Sequence, residues 1–272
     1  MIISLGLMMF PALMILIFIG FPVAFSLFGV AALFGYIRFG DVLVHQLIAK
    51  VDDVASYYVL SAVPLFIFMG CMLEKSGVSE KLFEAVHLVT RKLPGGLAIA
   101  TVVLCVFFAA ASGVVGAAES VVGLMVISVM LRHGYDKGLV SGTICAGGSL
   151  GTIIPPSVVV VILSPIAGVG VGNLFVGIMF PGLILAGLYI VYILLRCSIW
   201  PEDGPSEDND GSYGSIASQA WVVLSSLVPL FGLIFSVLGT IMLGWATPTE
   251  AGAMGAIGTI ILTILYRTFS WI

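Results

Sequence analysis

Charged side chains are scarce in this chain: they make up 9 % of its 272 residues, against about 25 % in a typical soluble domain. Apolar residues make up 60 %, and the mean hydropathy is +1.23. So few charges cannot cover a water-facing surface, which excludes a cytosolic enzyme, a secreted disulfide-stabilised domain and a nucleic-acid-binding protein. A disordered chain would have the opposite composition. The sequence therefore predicts a protein embedded in lipid.

Paired cysteines and clustered metal ligands are also missing. The four cysteines lie singly in apolar runs without a CxxC pair, which is typical of small packing residues. No two of the three histidines have the spacing of a metal site. An intramembrane enzyme would need a nucleophile with its base, or a pair of carboxylates, at membrane depth. We therefore expect no enzymatic activity and no cofactor, and no metal beyond a coupling ion.

The net charge of −4 comes from one stretch of the chain. Five of the fourteen acidic residues lie within residues 202–210, and the remaining nine face ten basic residues. Because this stretch is also rich in Pro and Gly, it cannot enter lipid and predicts an acidic cytoplasmic linker over residues 198–215. The linker divides the chain into a first repeat, residues 1–197, and a second segment, residues 216–272.

Long apolar runs divide into lengths that suit a bilayer, which needs about 20 helical residues. Gly20-Phe21-Pro22 breaks the first run, whose N-terminus lacks the features of a cleaved signal peptide. Two amphipathic stretches, 41–56 and 80–92, predict helices at the membrane surface or packed on the spans, with Asp41 and Ser79 as N-caps. The predicted spans are 2–19, 22–38, 58–73, 174–196, 217–243 and 249–267, with a hairpin over 94–131 and an interrupted span over 138–167.

The distribution of Lys and Arg predicts the topology. Loops 74–93 and 132–137 carry basic residues and are expected in the cytoplasm, whereas 168–173 has no charge and is expected outside. The two short apolar segments between the basic loops must then form a hairpin that returns to its starting side. The same count places Arg196 in the cytoplasm and gives the first span and the span after the linker opposite orientations.

Two related stretches open helices after those oppositely oriented spans. Gly20-Phe21-Pro22-Val23-Ala24 and Ala246-Thr247-Pro248-Thr249-Glu250-Ala251 both place Pro near the first helical position, where its missing N–H is harmless. Thr247 and Glu250 also have the T-x-x-E spacing of a capping box. Residue 216 is therefore predicted to start a second, inverted repeat, which is an architecture of secondary transporters.

Two adjacent prolines interrupt the span over residues 138–167. Pro155 has no N–H for the carbonyl of Gly151, and Pro156 has none for the carbonyl of Thr152. An unpaired carbonyl in hydrocarbon costs several kcal/mol, so the freed oxygens need another partner. The residue pattern leaves two alternatives open: a desolvated cation such as Na⁺, or a simple kink satisfied by the hydroxyls of Thr152 or Ser157 or by water.

The hairpin turn and one acidic residue complete the candidate site. Ser112-Gly113-Val114-Val115-Gly116 allows non-helical backbone, and it lines a cavity if the hairpin is re-entrant or forms a surface loop if it is not. Glu119 is the only acid inside an apolar run, which makes it a candidate for coupling or substrate orientation. The alternatives for Glu119 are a protonated, backbone-bonded carboxyl or a position facing water.

With these motifs in place, the sequence resembles the large membrane subunit of the TRAP family, the tripartite ATP-independent periplasmic transporters of bacteria and archaea. The matching stretches occur in family order over nearly the whole chain. They are GFPVAF at 20–25, VPLFI at 63–67, LPGGL at 93–97, ASG at 111–113, GYDK at 134–137, GTIIPPS at 151–157 and TPTEA at 247–251.

The resemblance implies an all-α polytopic protein of the inner membrane with an elevator-type architecture, a re-entrant hairpin and a Pro-broken helix. It implies Na⁺-driven import of organic anions, mostly carboxylates, which a periplasmic binding protein delivers while a small membrane subunit packs beside the large one. It also implies a sodium site built from the hairpin tip and the facing break. The implied Na⁺ ligands are Ser112, Gly113, Gly151, Thr152, Ile154 and Pro156, and the candidates for substrate binding are Glu119 and Ser157.

The sequence departs from the family's pattern in its second repeat. That repeat has its own hairpin and Pro-broken helix in the family, whereas this sequence has residues only for the first two helices. We therefore expect an incomplete inverted repeat that lacks the second sodium site and half of the substrate cavity. The alternative function is a non-transporting scaffold, or a split-gene fragment that needs a second half for activity.

Overall fold

The structure, a computed structural model, describes residues 2–113, 115–206 and 216–266. Every regular element in these ranges is helical, so the predicted all-α class is confirmed. A 3₁₀ turn at Tyr58–Ser61 precedes the fourth helix, and a π-helical turn at Phe235–Gly239 joins the eleventh to the twelfth. The helices are α1 Ile2–Ile19, α2 Val23–Phe39, α3 Val42–Ala55, α4 Ala62–Lys75, α5 Val78–Thr90, α6 Gly96–Ser112, α7 Val115–Arg132, α8 Lys137–Ile153, α9 Val158–Ala167, α10 Val171–Ile199, α11 Ile216–Ile234, α12 Thr240–Met242 and α13 Pro248–Leu265.

Several of these helices suit a membrane. Four described stretches are long and apolar enough to cross one, and α8 with α9 forms a fifth candidate that is bent by 41°. The predicted break after the first span is confirmed, since α1 ends before Gly20 at φ 102° and α2 begins at Val23. The four stretches are Tyr58–Lys75, Val171–Ile199, Val223–Met242 and Pro248–Leu265.

The chain folds as two compact units, which divide after Tyr58. In the first unit, α1 packs on α2 and α2 packs on α3. Its large apolar side chains are mostly exposed, with Phe18 at 86 % and Phe25 at 74 %. Such exposure suits helices whose surroundings are hydrocarbon rather than water.

The second unit is built around the hairpin formed by α6 and α7. Helix α8 packs against both arms, while α4, α5 and α10 each pack against α6. Because lipid is as apolar as a leucine side chain, close packing rather than water exclusion holds such helices together. Small residues allow the approach: a Cβ at Gly147 of α8 would lie only 2.7 Å from Cys105 Sγ of α6.

The predicted helix caps have mixed outcomes. The capping box is confirmed, because Thr247 N donates to Glu250 Oε2 at 2.8 Å and Glu250 N donates to Thr247 Oγ1 at 3.4 Å. The other two caps are wrong. Asp41 itself has helical backbone angles and makes no side-chain capping bond. Ser79 lies inside α5, which begins after Gly77 in the left-handed conformation.

The base of the hairpin lies where four helix ends meet: the start of α6, the end of α7, the start of α8 and the end of α10. Leu97 N, at the start of α6, donates to the Tyr135 hydroxyl at 3.2 Å. The same hydroxyl donates to the Pro205 carbonyl at 3.2 Å. Tyr135 follows α7 and precedes α8, whose N-cap is Asp136. One buried tyrosine therefore ties both arms of the hairpin to the chain that follows α10.

The described part of the acidic linker is folded against this base. Gly95 N donates to the Gly204 carbonyl at 3.0 Å, and Asp136 N donates to the Asp203 carbonyl at 3.0 Å. Arg196, near the end of α10, donates from Nε to Asp203 Oδ2 at 2.9 Å. Residues 203–205 therefore form a strap, a short segment that holds the hairpin base to α10, whereas residues 207–215 of the predicted linker lie outside the described residues.

The strap leaves no room for one additional methyl group. A Cβ at Gly204 would lie 2.5 Å from Cys197 Sγ and 3.2 Å from Gly95 Cα. We expect Gly204→Ala to lower the free energy of unfolding by about 1–3 kcal/mol, the range for overpacking. Adding Cys197→Ala should recover part of this loss, because it removes the nearer atom. Thermal unfolding of both variants in detergent measures the recovery, and an equal loss in the two would contradict the packing explanation.

Candidate cation site at the hairpin tip and the broken helix

The break in the fifth candidate span lies at the two prolines. Helix α8 ends with a bond from Ile154 N to the Leu150 carbonyl at 2.8 Å, and α9 begins at Val158. Pro155 and Pro156 follow Ile154 and have no N–H to donate. The carbonyls of Gly151 and Thr152 therefore lose their helical partners, as the sequence predicts.

The two hydroxyls that a simple kink would use are not directed at these carbonyls. Thr152 Oγ1 donates to the Ser149 carbonyl at 2.9 Å, one turn back along α8. Ser157 Oγ is buried and has no hydrogen-bond partner within the described part of the chain. Buried hydroxyls almost always have a partner, so an unpaired one at a helix break points to a bound ion, water or ligand group.

The hairpin tip touches this break directly. Gly113 ends α6 with φ +62°, and its N–H donates to the Ala109 carbonyl at 3.0 Å. A Cβ at Gly113 would collide with the Pro156 carbonyl oxygen and would lie 3.4 Å from Ser157 Cα. Position 113 therefore requires glycine for two reasons: the left-handed conformation disfavours a side chain, and the close backbone contact leaves no space for one.

The contact places the tip partway along the bent span. At 1.5 Å per residue, α8 rises about 25 Å before the break and α9 about 15 Å after it. The hairpin base lies beside the start of α8, and the tip lies beside the break rather than beyond the end of α9. If the bent pair crosses the membrane, the hairpin is re-entrant, and its irregular backbone is buried in protein as membrane depth requires.

The predicted site residues divide into a directly joined set and a set that lies along α8. Gly113, Pro156 and Ser157 meet at the junction of tip and break. Gly151 and Ile154 are buried at the end of α8, and Thr152 is half-buried beside them. Ser112 is the last residue of α6, and its side chain is not among those that the structure describes.

Glu119 lies against α8 rather than at the junction itself. Its Cγ occupies the space that a Cβ at Gly148 would need, and its Oε1 would lie 2.5 Å from that Cβ. Only glycine at position 148 therefore lets this half-buried carboxylate pack so closely, one helical turn before Gly151. The sequence did not reveal this pairing, although adjacent small residues such as Gly147 and Gly148 are typical of the close approach of another helix.

Main-chain carbonyl oxygens that lack a helical partner suit a hard cation, because they supply dipoles without a buried formal charge. No group of three or more His, Cys, Asp or Glu side chains comes together in the described part of the chain. The chemistry available at the junction is therefore that of main-chain oxygens, the Ser157 hydroxyl and, one turn away, the Glu119 carboxylate.

Comparison with known proteins decides the family. The family described as "Tripartite ATP-independent periplasmic transporter, DctM component" matches residues 10–271. The chain belongs to the DctM family. The TRAP resemblance drawn from the motifs is thus confirmed, as is the expectation that the protein is not an enzyme, because the family consists of transporter permeases.

Three curated relatives illustrate the range of the DctM family. The C4-dicarboxylate TRAP transporter large permease protein DctM of Vibrio cholerae is 33 % identical over 254 residues, which are 92 % of this chain and 54 % of the relative. The isethionate TRAP transporter permease protein DctMQ of Oleidesulfovibrio alaskensis is 31 % identical over 257 residues, 93 % of this chain and 39 % of the relative. The ectoine/5-hydroxyectoine TRAP transporter large permease protein UehC of Ruegeria pomeroyi is 28 % identical over 267 residues, 96 % of this chain and 60 % of the relative.

The chain spans about half the length of the curated relatives it matches. DctM membership and the apolar helices make it a multi-pass membrane protein. The names of the relatives include dicarboxylates, isethionate and ectoines, so family membership alone does not select a substrate.

Proposed function

We propose that this chain is a membrane subunit of a Na⁺-driven secondary transporter that imports organic anions, carboxylates in particular, across the bacterial inner membrane. Its proposed partners are a periplasmic binding protein that delivers the substrate and the small TRAP membrane subunit. DctM membership supports the transport role, and the C4-dicarboxylate relatives support the substrate class. The observation that carries the proposal is the contact between the hairpin tip at Gly113 and the break at Pro156.

The proposed Na⁺ site lies at that contact. Its oxygens come from the freed carbonyls of Gly151 and Thr152, from the carbonyls of Ile154 and Pro156, and from the hairpin end at residues 112–113. Broken helices in transporters bind Na⁺ with such unwound carbonyls. Ser157 adds a buried hydroxyl that has no partner among the described residues, and a substrate oxygen or the cation would satisfy it.

Elevator-type movement requires the site to travel as one body. The strap ties the hairpin base to α10 and to the start of α8, and the tip contacts the break that follows α8. The hairpin is therefore held near both ends of α8, which supports the proposal that these elements move together.

Uptake into proteoliposomes tests the proposed function. Vesicles that contain this chain with its binding protein and small subunit should take up a labelled C4-dicarboxylate when an inward Na⁺ gradient is imposed. An equal K⁺ gradient should drive no uptake above that of empty vesicles. Equal uptake above that of empty vesicles under the two gradients would contradict coupling to Na⁺, and no uptake of any carboxylate would favour the alternative of a non-transporting scaffold or of a fragment that needs a second half.

Glu119 is proposed to contribute to coupling or to substrate orientation. Glu119→Gln keeps the shape and most hydrogen bonds of the side chain but removes its charge, so uptake should fall on the order of tenfold, the worth of one charge-assisted hydrogen bond. Folded yield should stay unchanged. Glu84→Gln, at an exposed position of α5, is the matched control. Unchanged uptake by Glu119→Gln across a pH series would leave Glu119 with a packing role only.

A further inference from the structure

Two cavities adjoin each other at the corner where α8, α10 and the strap meet. The outer cavity has a volume of about 590 Å³ and is lined by the last turns of α10, Trp200 and Asp203. The inner cavity has a volume of about 480 Å³ and is a groove between α8 and α10. Tyr192 and Arg196 line both cavities, so the two lie side by side at these side chains.

The inner cavity is mostly apolar. Gly138, Gly142 and Ala146 line it at every fourth position of α8, and leucines of α10 form the opposite wall. From Gly138 to Ala146 the helix rises about 12 Å, which is the length of the groove away from the corner. Within the described part of the chain, a Cβ at Gly142 would have no neighbouring atom within 4 Å, so the small residues leave space in the groove.

The outer cavity is amphipathic and charged. Arg196 Nε donates to Asp203 Oδ2 at 2.9 Å, its Nη1 donates to the Tyr192 hydroxyl at 3.2 Å, and its Nη2 lies 3.7 Å from Asp136 Oδ1. Trp200 is 59 % exposed at its rim. Exposed Trp and Tyr beside charged groups are typical of the membrane–water interface.

The lining of the two cavities matches the two parts of a lipid. Mostly apolar side chains line the groove between α8 and α10, which is about 12 Å long. Polar side chains line the outer cavity at one end of the groove. An acyl chain fits the apolar part, and the headgroup to which it is attached fits the polar part.

We propose that the two cavities together bind one phospholipid with a zwitterionic headgroup that carries a primary ammonium. One acyl chain lies between α8 and α10, and the headgroup lies in the outer cavity. The outer cavity is lined by one carboxylate, Asp203, and one guanidinium, Arg196, so its charges match a headgroup that carries one ammonium and one phosphate and disfavour a purely anionic headgroup. The lipid thus fills the space beside the strap that holds the hairpin base.

Measuring the binding of phosphatidylethanolamine to the purified chain tests the acyl-chain site. Native mass spectrometry after delipidation and addition of this lipid should show one bound molecule. Gly142→Leu should lower its apparent affinity about tenfold or more, a loss of at least 1.4 kcal/mol, without lowering the Tm of the lipid-free protein. Gly187→Leu, on α10 and also without a neighbour within 4 Å, should bind as the wild type does because it lines neither cavity.

The headgroup is tested by exchanging the lipid. Phosphatidylethanolamine should raise the Tm of the wild-type chain more than phosphatidylcholine or phosphatidylglycerol, and Asp203→Asn should remove this preference. Binding of all three lipids with equal affinity, or unchanged binding to Gly142→Leu, would overturn the proposal. Absence of any tightly bound lipid on the wild-type chain would overturn it as well and would indicate a protein segment in the groove.

Discussion

Pro155→Ala is expected to make this protein less responsive to Na⁺ while leaving it folded. Alanine at position 155 has an N–H, which can donate to the Gly151 carbonyl four residues earlier and continue α8 by one residue. The same bond that repairs the helix takes one oxygen away from the proposed site. We expect the Na⁺-specific rise in Tm to shrink to less than about half, with an apparent Na⁺ affinity about tenfold weaker.

The measurement is thermal unfolding of wild type and Pro155→Ala, titrated with NaCl and, separately, with KCl. Without Na⁺ the variant should be as stable as the wild type or more stable, because a buried carbonyl has gained a donor. An equal Na⁺-specific shift in the two proteins would show that the break at residues 154–157 is a kink and not a ligand set.

A second proline supplies the matched control. Pro229 in α11 also removes a helical donor, here from the carbonyl of Ser225. That carbonyl accepts a hydrogen bond from the Tyr266 hydroxyl at 3.2 Å, so the protein itself satisfies it. Pro229→Ala should therefore leave the Na⁺ response unchanged, whereas the break at Pro155 has no comparable side-chain donor among its two hydroxyls.

Local features of this fold were predictable because they follow from backbone chemistry. Gly20 with Pro22, the two prolines at 155 and 156, and the Thr247–Glu250 box each act through residues within one helical turn. Such signals need no knowledge of packing, and the structure bears them out. Asp41 and Ser79 failed as caps because a polar residue before an apolar run is a weaker signal than a reciprocal pair.

Contacts between distant segments were predictable only in part. The charge pattern required the hairpin to return to its starting side, but it carried no information on the strap or on Tyr135, whose hydroxyl joins residues far apart in sequence. Gly147 and Gly148 lie against Cys105 and Glu119, and the sequence did not indicate these partners. Side-chain complementarity selects these partners, and a single sequence does not display it.

Gly113→Ala is expected to lower the free energy of unfolding more than the addition of a methyl group at any other position near the site. Position 113 has φ +62°, where alanine is strained by about 1–2 kcal/mol. Its Cβ would also collide with the Pro156 carbonyl, which is backbone and cannot move aside as a flexible side chain does. Adding overpacking of about 1–3 kcal/mol, we expect a total loss of about 2–5 kcal/mol in the free energy of unfolding.

Gly168→Ala separates the two causes. Gly168 ends α9 with φ +64°, and a Cβ there would have no neighbour within 4 Å, so this variant carries the backbone strain without the collision. Denaturation of both variants in detergent should show the greater loss for Gly113→Ala, and only Gly113→Ala should also lose the Na⁺-specific shift. Equal losses, with the Na⁺ response retained in both, would mean that the tip and the break are not held together, and the proposed cation site would lose the contact on which it depends.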